Sequence, residues 1–353
     1  MVLGQQKLWS SPTHAQVEPT SRCNQDCVMC SRLEMLKKVG EADMTSDQFD
    51  RVLREMPQLI DLQLNGLGEP LMNPLTPEFI KRASLKGIKT SMNCNAAFIT
   101  EKKAQELLDS GLNILKISMD GAEPELYRRI RRAEYTPVLK GIERICAARR
   151  ERPGHPMRIW FNTVIQKENR EHLLPIVELA ALHGVDQVRF KVVGMFDLFD
   201  PKDLGVPQAD IPVIARNLRD TIFAKDIKVK TNLHELIDHP ERLFRRHEKH
   251  PCYSPFYEVY VQAYGGVRLC CEFYDSDSDI GNLYTHSMEE IWNGPKMLEI
   301  RRRYWEGDTF FKNCEGCNRF YWNEDKLAKI KKARGPLDAI LKPLPEVTLK
   351  KRP

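Results

Sequence analysis

The chain has 353 residues, of which 42% are hydrophobic and 29% charged, a composition that excludes a disordered chain. Its net charge is +5. Residues 318–353 contain ten Lys and Arg and four Asp and Glu and so carry +6, which leaves a net charge of −1 for residues 1–317. A nearly neutral body disfavours a nucleic-acid-binding surface. No apolar run approaches the ~20 residues of a membrane span and no secretory signal opens the sequence, so we expect a cytoplasmic protein without a membrane partner.

Short apolar segments alternate with amphipathic ones between residue 14 and about residue 193. We predict strands at 14–19, 59–64, 88–93, 114–118, 158–164 and 187–193. We predict helices at 46–56, 77–84, 101–110, 135–150 and 172–183. This succession indicates an α/β fold with a parallel sheet, either open or curled into part of a barrel. In both cases the chemistry should lie at the C-terminal ends of the strands.

The second part of the chain predicts a smaller module. A hairpin of strands 257–264 and 267–271 is expected around Gly265 and Gly266, followed by a helix at 287–303. We therefore divide the chain into five segments. These are an N-terminal extension (1–13), a barrel (14–195), a helical linker rich in charge and proline (196–250), an auxiliary module (251–320) and a basic tail (321–353).

The ten cysteines are too few for a disulfide scaffold, but most of them fall into two groups. The first group, Cys23, Cys27 and Cys30, follows the first predicted strand with the spacing C-x3-C-x2-C. Four thiolates would close a zinc or iron–sulfur site, whereas three leave one metal position open. The alternative is three buried thiols on one helical face, which Asn24 and Asp26 disfavour.

This spacing directly after strand one resembles the signature of radical S-adenosylmethionine enzymes. The resemblance implies a partial (β/α)6 TIM-like barrel in which three thiolates hold a [4Fe–4S] cluster. It also implies that the amine and carboxylate of S-adenosylmethionine chelate the fourth iron, and that an electron from a flavodoxin- or ferredoxin-type reductant leads to a 5′-deoxyadenosyl radical. In the family this radical abstracts a hydrogen atom from the substrate.

Further segments support the resemblance. Gly68, Glu69 and Pro70 after strand two are similar to the family motif whose backbone contacts the amine of S-adenosylmethionine. The resemblance implies further cofactor contacts from Met29, Asn95, Ser118, Arg131 and Asn162. Met29 stands where the family often has an aromatic residue, although methionine can also pack against adenine. For Arg131 the alternative is a solvent-exposed helix charge.

The second cysteine group comprises Cys252 and Cys270 around the hairpin and the C-x2-C pair Cys314 and Cys317. Four thiolates make a closed site, and spacing alone leaves zinc and iron–sulfur open. The segment resembles the SPASM domain. Because no cysteine follows Cys317, it resembles the truncated form called a twitch domain, which implies one auxiliary [4Fe–4S] cluster and two clusters in all.

A fully ligated auxiliary cluster is suited to accept an electron from the substrate radical. The resemblance to the twitch subgroup implies oxidation of a secondary alcohol of a sugar or aminocyclitol. The catalytic candidates are Glu272, Tyr257, Arg189 and Lys191. Arg189 and Lys191 share one face of strand six, and the pattern leaves open whether that face points inward.

Three alternatives to this oxidation are open. One is modification of a ribosomally made peptide, which the short segment before Cys23 disfavours because such enzymes commonly carry a leader-binding domain there. Another is a radical epimerase in which Cys94, at the end of strand three, returns a hydrogen atom. The alternative that is not an enzyme is a zinc-ribbon protein that binds nucleic acid through its basic tail.

Overall fold

The structure is a computed structural model that describes residues 7–193, 204–240, 252–270 and 278–305. Within these ranges no helix has the length and apolar character needed to cross a membrane.

The described strands form one ten-stranded sheet in the order β10-β9-β8-β1-β2-β3-β4-β5-β6-β7. The strands β1 to β8 pair in parallel with their neighbours, and β9 and β10 complete an antiparallel edge. Their bounds are β1 His14–Val17, β2 Asp61–Leu64, β3 Lys89–Cys94, β4 Ile114–Ser118, β5 Arg158–Ile165, β6 Gln187–Val192, β7 Lys230–Thr231, β8 Glu258–Val261, β9 Gly266–Arg268 and β10 Gly281–Asn282.

Most of the described helices connect successive parallel strands, and the last two follow β10. Their bounds are α1 Arg32–Val39, α2 Ser46–Glu55, α3 Thr76–Leu85, α4 Glu101–Asp109, α5 Pro124–Arg131, α6 Tyr135–Arg150, α7 Leu173–His183, α8 Ile211–Ala224, α9 Leu233–Asp238, α10 Met288–Trp292 and α11 Pro295–Trp305. Sequence determines where several of them begin: Thr45 and Gln48 form a capping box ahead of α2, and the Thr100 hydroxyl caps α4.

The two faces of the parallel sheet differ in polarity. One face packs against the helices through fully buried apolar side chains, among them Val17, Leu62, Met92, Leu115 and Phe161. On the other face, called here the open face, the alternate positions are mostly polar and include Gln16, Gln63, Ser91, Lys116 and Arg189. Helices on one face of a parallel sheet and polar side chains on the other fit the predicted partial barrel.

The six predicted parallel strands and five predicted helices of the barrel are all present, within one to two residues at most ends. The predicted helix 287–303 is two helices, because Asn293 and Gly294 end α10 and Pro295 starts α11. The sequence analysis missed α5 and, after the first cysteine group, α1. Both are eight residues long, too short for a helical period to stand out.

The segments outside the predicted barrel extend its sheet. The predicted linker contributes α8, α9 and the short strand β7, which pairs with β6. The predicted hairpin is present as β8 and β9, and β8 lies directly beside β1. Buried Glu18 joins the two parts, because its carboxylate accepts the backbone N–H groups of Leu67 at 2.7 Å and Ala263 at 3.3 Å.

Candidate active site

The first cysteine group lies on an irregular loop after β1, so the three thiols do not share a helical face. The loop is fixed by backbone hydrogen bonds at the C-terminal edge of the sheet. Val28 donates its N–H to the Ile130 carbonyl at 3.0 Å, and Glu69 donates its N–H to the Arg22 carbonyl at 2.7 Å. The thiols are therefore held between the end of β2 and the end of α5.

The thiols of Cys23, Cys27 and Cys30 are half-buried and free. Burial raises the pKa of Cys23 to about 11, and the nearby charges of Glu69 and Cys27 add to the effect. Bound iron would lower the pKa of the thiol again, because a thiol coordinated to a metal is deprotonated. Within the described residues no three His, Cys, Asp or Glu side chains already converge as metal ligands. The three thiols of one short loop supply a donor set that fits a cluster with one open iron.

Arg131, at the end of α5, reaches this loop. Its guanidinium forms an ion pair with buried Asp120 at 2.5 Å and donates from Nη1 to the Cys27 sulfur at 3.6 Å. Asp120 also accepts the backbone N–H of Val164 at 2.7 Å. Because the Arg131 side chain is only 12% exposed, it is not the solvent-exposed helix charge considered as an alternative.

The Gly68-Glu69-Pro70 segment packs against the same loop. A Cβ on Gly68 would collide with the Thr20 carbonyl oxygen and lie 2.7 Å from that of Arg22, so only glycine allows this approach. The buried carboxylate of Glu69 accepts the N–H groups of Asn95 at 2.6 Å and Leu71 at 3.2 Å. Burial raises its pKa to about 7.

The other residues predicted to contact the cofactor surround the same edge. The amide of Asn95 donates to the Asn24 side chain in the first cysteine loop at 2.7 Å. Ser118 ends β4 and lies beside Asn162 of β5. The neighbours of Asn162, Phe161 and Thr163, are fully buried on the helix side, so Asn162 lies on the open face. Met29 is half-buried within the loop.

Arg189 and Lys191 lie on the open face of β6. Their neighbours Val188 and Phe190 are buried in the helix-side core, which resolves the orientation that the sequence pattern left open. The Arg189 guanidinium lies 5.8 Å from the centroid of the Trp160 ring.

Lys116 of β4 is a functional candidate that the sequence analysis missed. Its ammonium donates to the Gln63 side chain and to the Ser91 hydroxyl, both at 3.1 Å. Burial and the positive charges of Lys191 and Arg189 lower the pKa of Lys116 to about 8. The alternation of Lys116 with apolar residues in β4 could have placed it on the open face from sequence.

Replacing Lys116 by methionine is expected to raise the stability of the chain at neutral pH. The folded pKa of about 8 lies below the ordinary 10.5, so the folded chain binds this proton more weakly than the unfolded chain. Wild-type stability should therefore rise as the pH increases from about 8 to 10.5, and the variant should lack this gain. Denaturant unfolding across this pH range measures both effects.

Lys81→Met is the matched control, because Lys81 is exposed on α3. It should leave stability and its pH dependence nearly unchanged. If Lys116→Met lowered the free energy of unfolding both below and above pH 8, the charge of Lys116 would stabilise the folded chain instead of destabilising it.

The described part of the second cysteine group lies at the other edge of the sheet. Cys252 precedes β8 and Cys270 follows the antiparallel β9, so both are at the N-terminal edge of the parallel strands, and both thiols are half-buried. Tyr257 is at the same edge, where its ring packs edge-on against His14 with centroids 5.2 Å apart. Glu272, Cys314 and Cys317 lie outside the described residues.

Of the remaining cysteines, Cys94 is buried on the helix side of β3, next to Met92. A thiol on that side does not face the open face, which disfavours the hydrogen-atom donor of the epimerase alternative. Cys146 is fully buried within α6.

Two stretches of the chain match known families. Residues 17–180 match the Radical SAM superfamily, a range that includes the first cysteine loop. Residues 252–318 match SPASM, an iron-sulfur cluster-binding domain, a range that includes the second cysteine group. The chain belongs to the radical S-adenosylmethionine superfamily. Its cofactors are S-adenosylmethionine and [4Fe–4S] clusters, and the second group is part of an iron–sulfur domain rather than a zinc ribbon.

Proteins of several activities are similar to this radical S-adenosylmethionine enzyme. The PqqA peptide cyclase of Bradyrhizobium diazoefficiens is 28% identical over 170 residues, which are 48% of this chain and 43% of that protein. The GTP 3′,8-cyclase of Limosilactobacillus fermentum is 30% identical over 184 residues, 50% of this chain and 53% of that protein. This chain thus spans about half the length of these relatives.

Among solved structures, Streptococcus suis SuiB bound to its precursor peptide SuiA has a similar fold. The TM-score is 0.66 over 83% of this chain and 67% of that chain, at 15% sequence identity. At this identity the likeness shows the fold alone, and it agrees with the partial barrel and the C-terminal iron–sulfur domain.

Proposed function

We propose that the enzyme modifies a peptide, taking a hydrogen atom from it near the first cysteine loop and passing the resulting electron toward the second cysteine group. The observation that carries this proposal is the placement of the two groups. Cys23 follows β1 at one edge of the sheet, whereas Cys252 and Cys270 flank the β8–β9 hairpin at the other. The open face, at least ~13 Å long for four strand residues, lies between them.

The relatives favour a peptide over a sugar. The name of one relative identifies a peptide as what it cyclises, and SuiB, which has a similar fold, was crystallised bound to its precursor peptide SuiA. None of the relatives described above is named for a sugar or an aminocyclitol. Oxidation of a secondary alcohol of such a substrate stays a prediction without support from these relatives, as do the twitch-type truncation and the flavodoxin- or ferredoxin-type reductant.

When bound, S-adenosylmethionine and its cluster supply the radical that abstracts hydrogen, and the auxiliary cluster supplies an electron acceptor. The residues of the chain hold these groups and the substrate. Cys23, Cys27 and Cys30 would hold the first cluster, and Gly68 lets the segment whose backbone would contact the amine of the cosubstrate pack directly against their loop. Asp120 fixes Arg131 against Cys27.

The reaction balances as a two-electron oxidation. The substrate would lose a hydrogen atom to the radical that bound S-adenosylmethionine supplies, one electron to the auxiliary cluster that Cys252 and Cys270 would help to hold, and one proton to a base of the chain. Arg189 cannot be that base, because a guanidinium stays protonated in proteins. Its place on the open face suits substrate binding. Tyr257 lies at the edge of the sheet away from the first cysteine loop, so the proton acceptor candidates that remain are Lys191 and Glu272.

The test is release of 5′-deoxyadenosine by the reconstituted full chain with a chemical reductant. One panel contains peptides encoded by short reading frames beside its gene, and the other contains sugars and aminocyclitols. We expect a peptide to stimulate release and to lose two hydrogen atoms by mass spectrometry. Stimulation by a sugar or aminocyclitol, with no response to any peptide, would overturn the peptide assignment.

A further inference from the structure

Lys116 lies in the middle of the open face, between the edges that hold the two cysteine groups. Its strand, β4, has β3, β2 and β1 on one side and β5 and β6 on the other. Ser118, which is predicted to contact the cofactor, follows two residues later on the same face, about 7 Å along the strand. Lys116 is therefore placed next to the region where the substrate should react.

The amine of Lys116 is held by two neutral partners. Its nitrogen lies 3.1 Å from the amide oxygen of Gln63 on β2 and 3.1 Å from the hydroxyl oxygen of Ser91 on β3. Gln63 and Ser91 are direct neighbours in the sheet register, and Ser91 pairs with Ile114, two residues before Lys116. The side chain thus leans along the open face toward the N-terminal edge, where Cys252 and Cys270 lie.

These partners hold the nitrogen without holding its proton. An ammonium has three N–H groups, and within the described residues only Gln63 and Ser91 accept from Lys116. A carboxylate partner would favour the charged form, whereas an amide oxygen and a hydroxyl also form hydrogen bonds with a neutral amine. The third position on the nitrogen has no partner in this part of the chain and is left for the substrate.

The surroundings of Lys116 weaken its charged form. Desolvation is the largest cause that lowers the pKa of Lys116 to about 8. The charges of Lys191 and Arg189 on β6 add to this effect, and Asp61 on β2 opposes it. A base is most effective when its pKa lies near the working pH. A lysine that keeps its charge only at a cost to the fold suits the acceptance of a proton.

We propose that Lys116 accepts the proton that the substrate loses during its oxidation, a role for which Lys191 and Glu272 are the other candidates. This inference rests on the proposed function, because that oxidation releases one proton. Two bonds to hydrogen break in the substrate. One hydrogen leaves as an atom to the radical that bound S-adenosylmethionine supplies, and the other leaves as a proton while its electron pair stays with the substrate. One electron of the substrate radical goes to the auxiliary cluster, and the neutral amine of Lys116 binds the proton and becomes an ammonium.

The first test is the pH dependence of product formation by the full-length reconstituted enzyme at saturating substrate. Below about pH 8 the rate should rise about tenfold per pH unit and should level off above it, because only the neutral amine accepts a proton. A rate that stayed constant from about pH 6 to about pH 9 would overturn the proposal. This measurement uses the wild-type enzyme, so it decides the question even where a substitution prevents folding.

Variants at position 116 separate the proton from the charge. Lys116→Arg keeps the charge but cannot accept a proton, and Lys116→Ala lacks the base, so both should form product about 100-fold more slowly. Ethylamine should raise the rate of Lys116→Ala about tenfold, because it replaces the missing amine. Lys81→Met changes an exposed lysine on α3 and should behave as the wild type. An iron content of about eight atoms per chain checks that each variant is intact.

Product formation at the wild-type rate in Lys116→Arg would show that the charge matters and not the proton, and the proposal would be wrong. The absence of any effect of ethylamine on Lys116→Ala with its full iron content would contradict it as well. The proposed function is judged separately, by the substrate panel that stimulates release of 5′-deoxyadenosine. If a sugar or an aminocyclitol is the substrate, only the peptide assignment is wrong, and the pH profile and the rescue should be seen with that substrate.

Discussion

Replacing Cys27 by alanine is expected to abolish cleavage of S-adenosylmethionine. Three thiolates are the smallest set that holds a [4Fe–4S] cluster with one open iron, and the loop offers no fourth cysteine to substitute. The iron content should fall from about eight to about four atoms per chain, because the auxiliary site does not depend on Cys27. Iron and sulfide analysis together with 5′-deoxyadenosine release measure the two effects.

Cys146→Ala is the control, because Cys146 is a free thiol buried in α6 on the helix side of the sheet. This variant should keep its iron and its activity while losing some stability through the small cavity, about 1 kcal/mol. Full cleavage activity in Cys27→Ala, or loss of all iron in Cys146→Ala, would contradict the assignment of the first cysteine loop.

The parallel sheet was predictable because its strands carry strong local signals. Segments such as Leu115–Ile117 and Phe161–Thr163 alternate buried and open-face residues, and caps such as Thr45 mark where helices begin. The elements that were missed lack such signals. Strand β7 has two residues and exists only because it pairs with β6, and α5 is a short helix of mixed charge.

The candidate site was predictable where a motif fixes chemistry and spacing, as in Cys23, Cys27 and Cys30. Its supporting contacts were not, because they join residues far apart in the chain. Asp120 pairs with Arg131, Glu69 accepts from Asn95, and Lys116 donates to Gln63 across two strands. No single segment contains these pairs, and only the register of the sheet brings them together.

The continuity of the sheet also changes how the second domain is understood. The sequence suggested an auxiliary module separated from the barrel by a linker, whereas β8 pairs with β1 residue by residue and Glu18 accepts backbone hydrogen bonds from both parts. Cys252 and Cys270, which lie before β8 and after β9, are therefore attached to the same sheet as the first cysteine group. Such a connection suits electron transfer over a fixed distance.

Replacing Cys270 by alanine should separate the two halves of the reaction. The first cysteine loop lies at the opposite edge of the sheet, so cleavage of S-adenosylmethionine should persist in the variant. The oxidised product should disappear, because the substrate radical no longer has an electron acceptor. Product analysis by mass spectrometry beside 5′-deoxyadenosine release measures this uncoupling, with iron expected to fall from about eight to about four atoms per chain.

Comparison with Cys27→Ala distinguishes the two cysteine groups. Both variants should lose about half of the iron, but only Cys27→Ala should lose cleavage of S-adenosylmethionine. Cys270 lies two residues beyond β9, so its replacement leaves the ladder between β8 and β9 in place. If Cys270→Ala still formed the full amount of oxidised product, the second cysteine group would hold the fold or the substrate rather than accept an electron. The route of the substrate electron would then have to lead back to the first cluster.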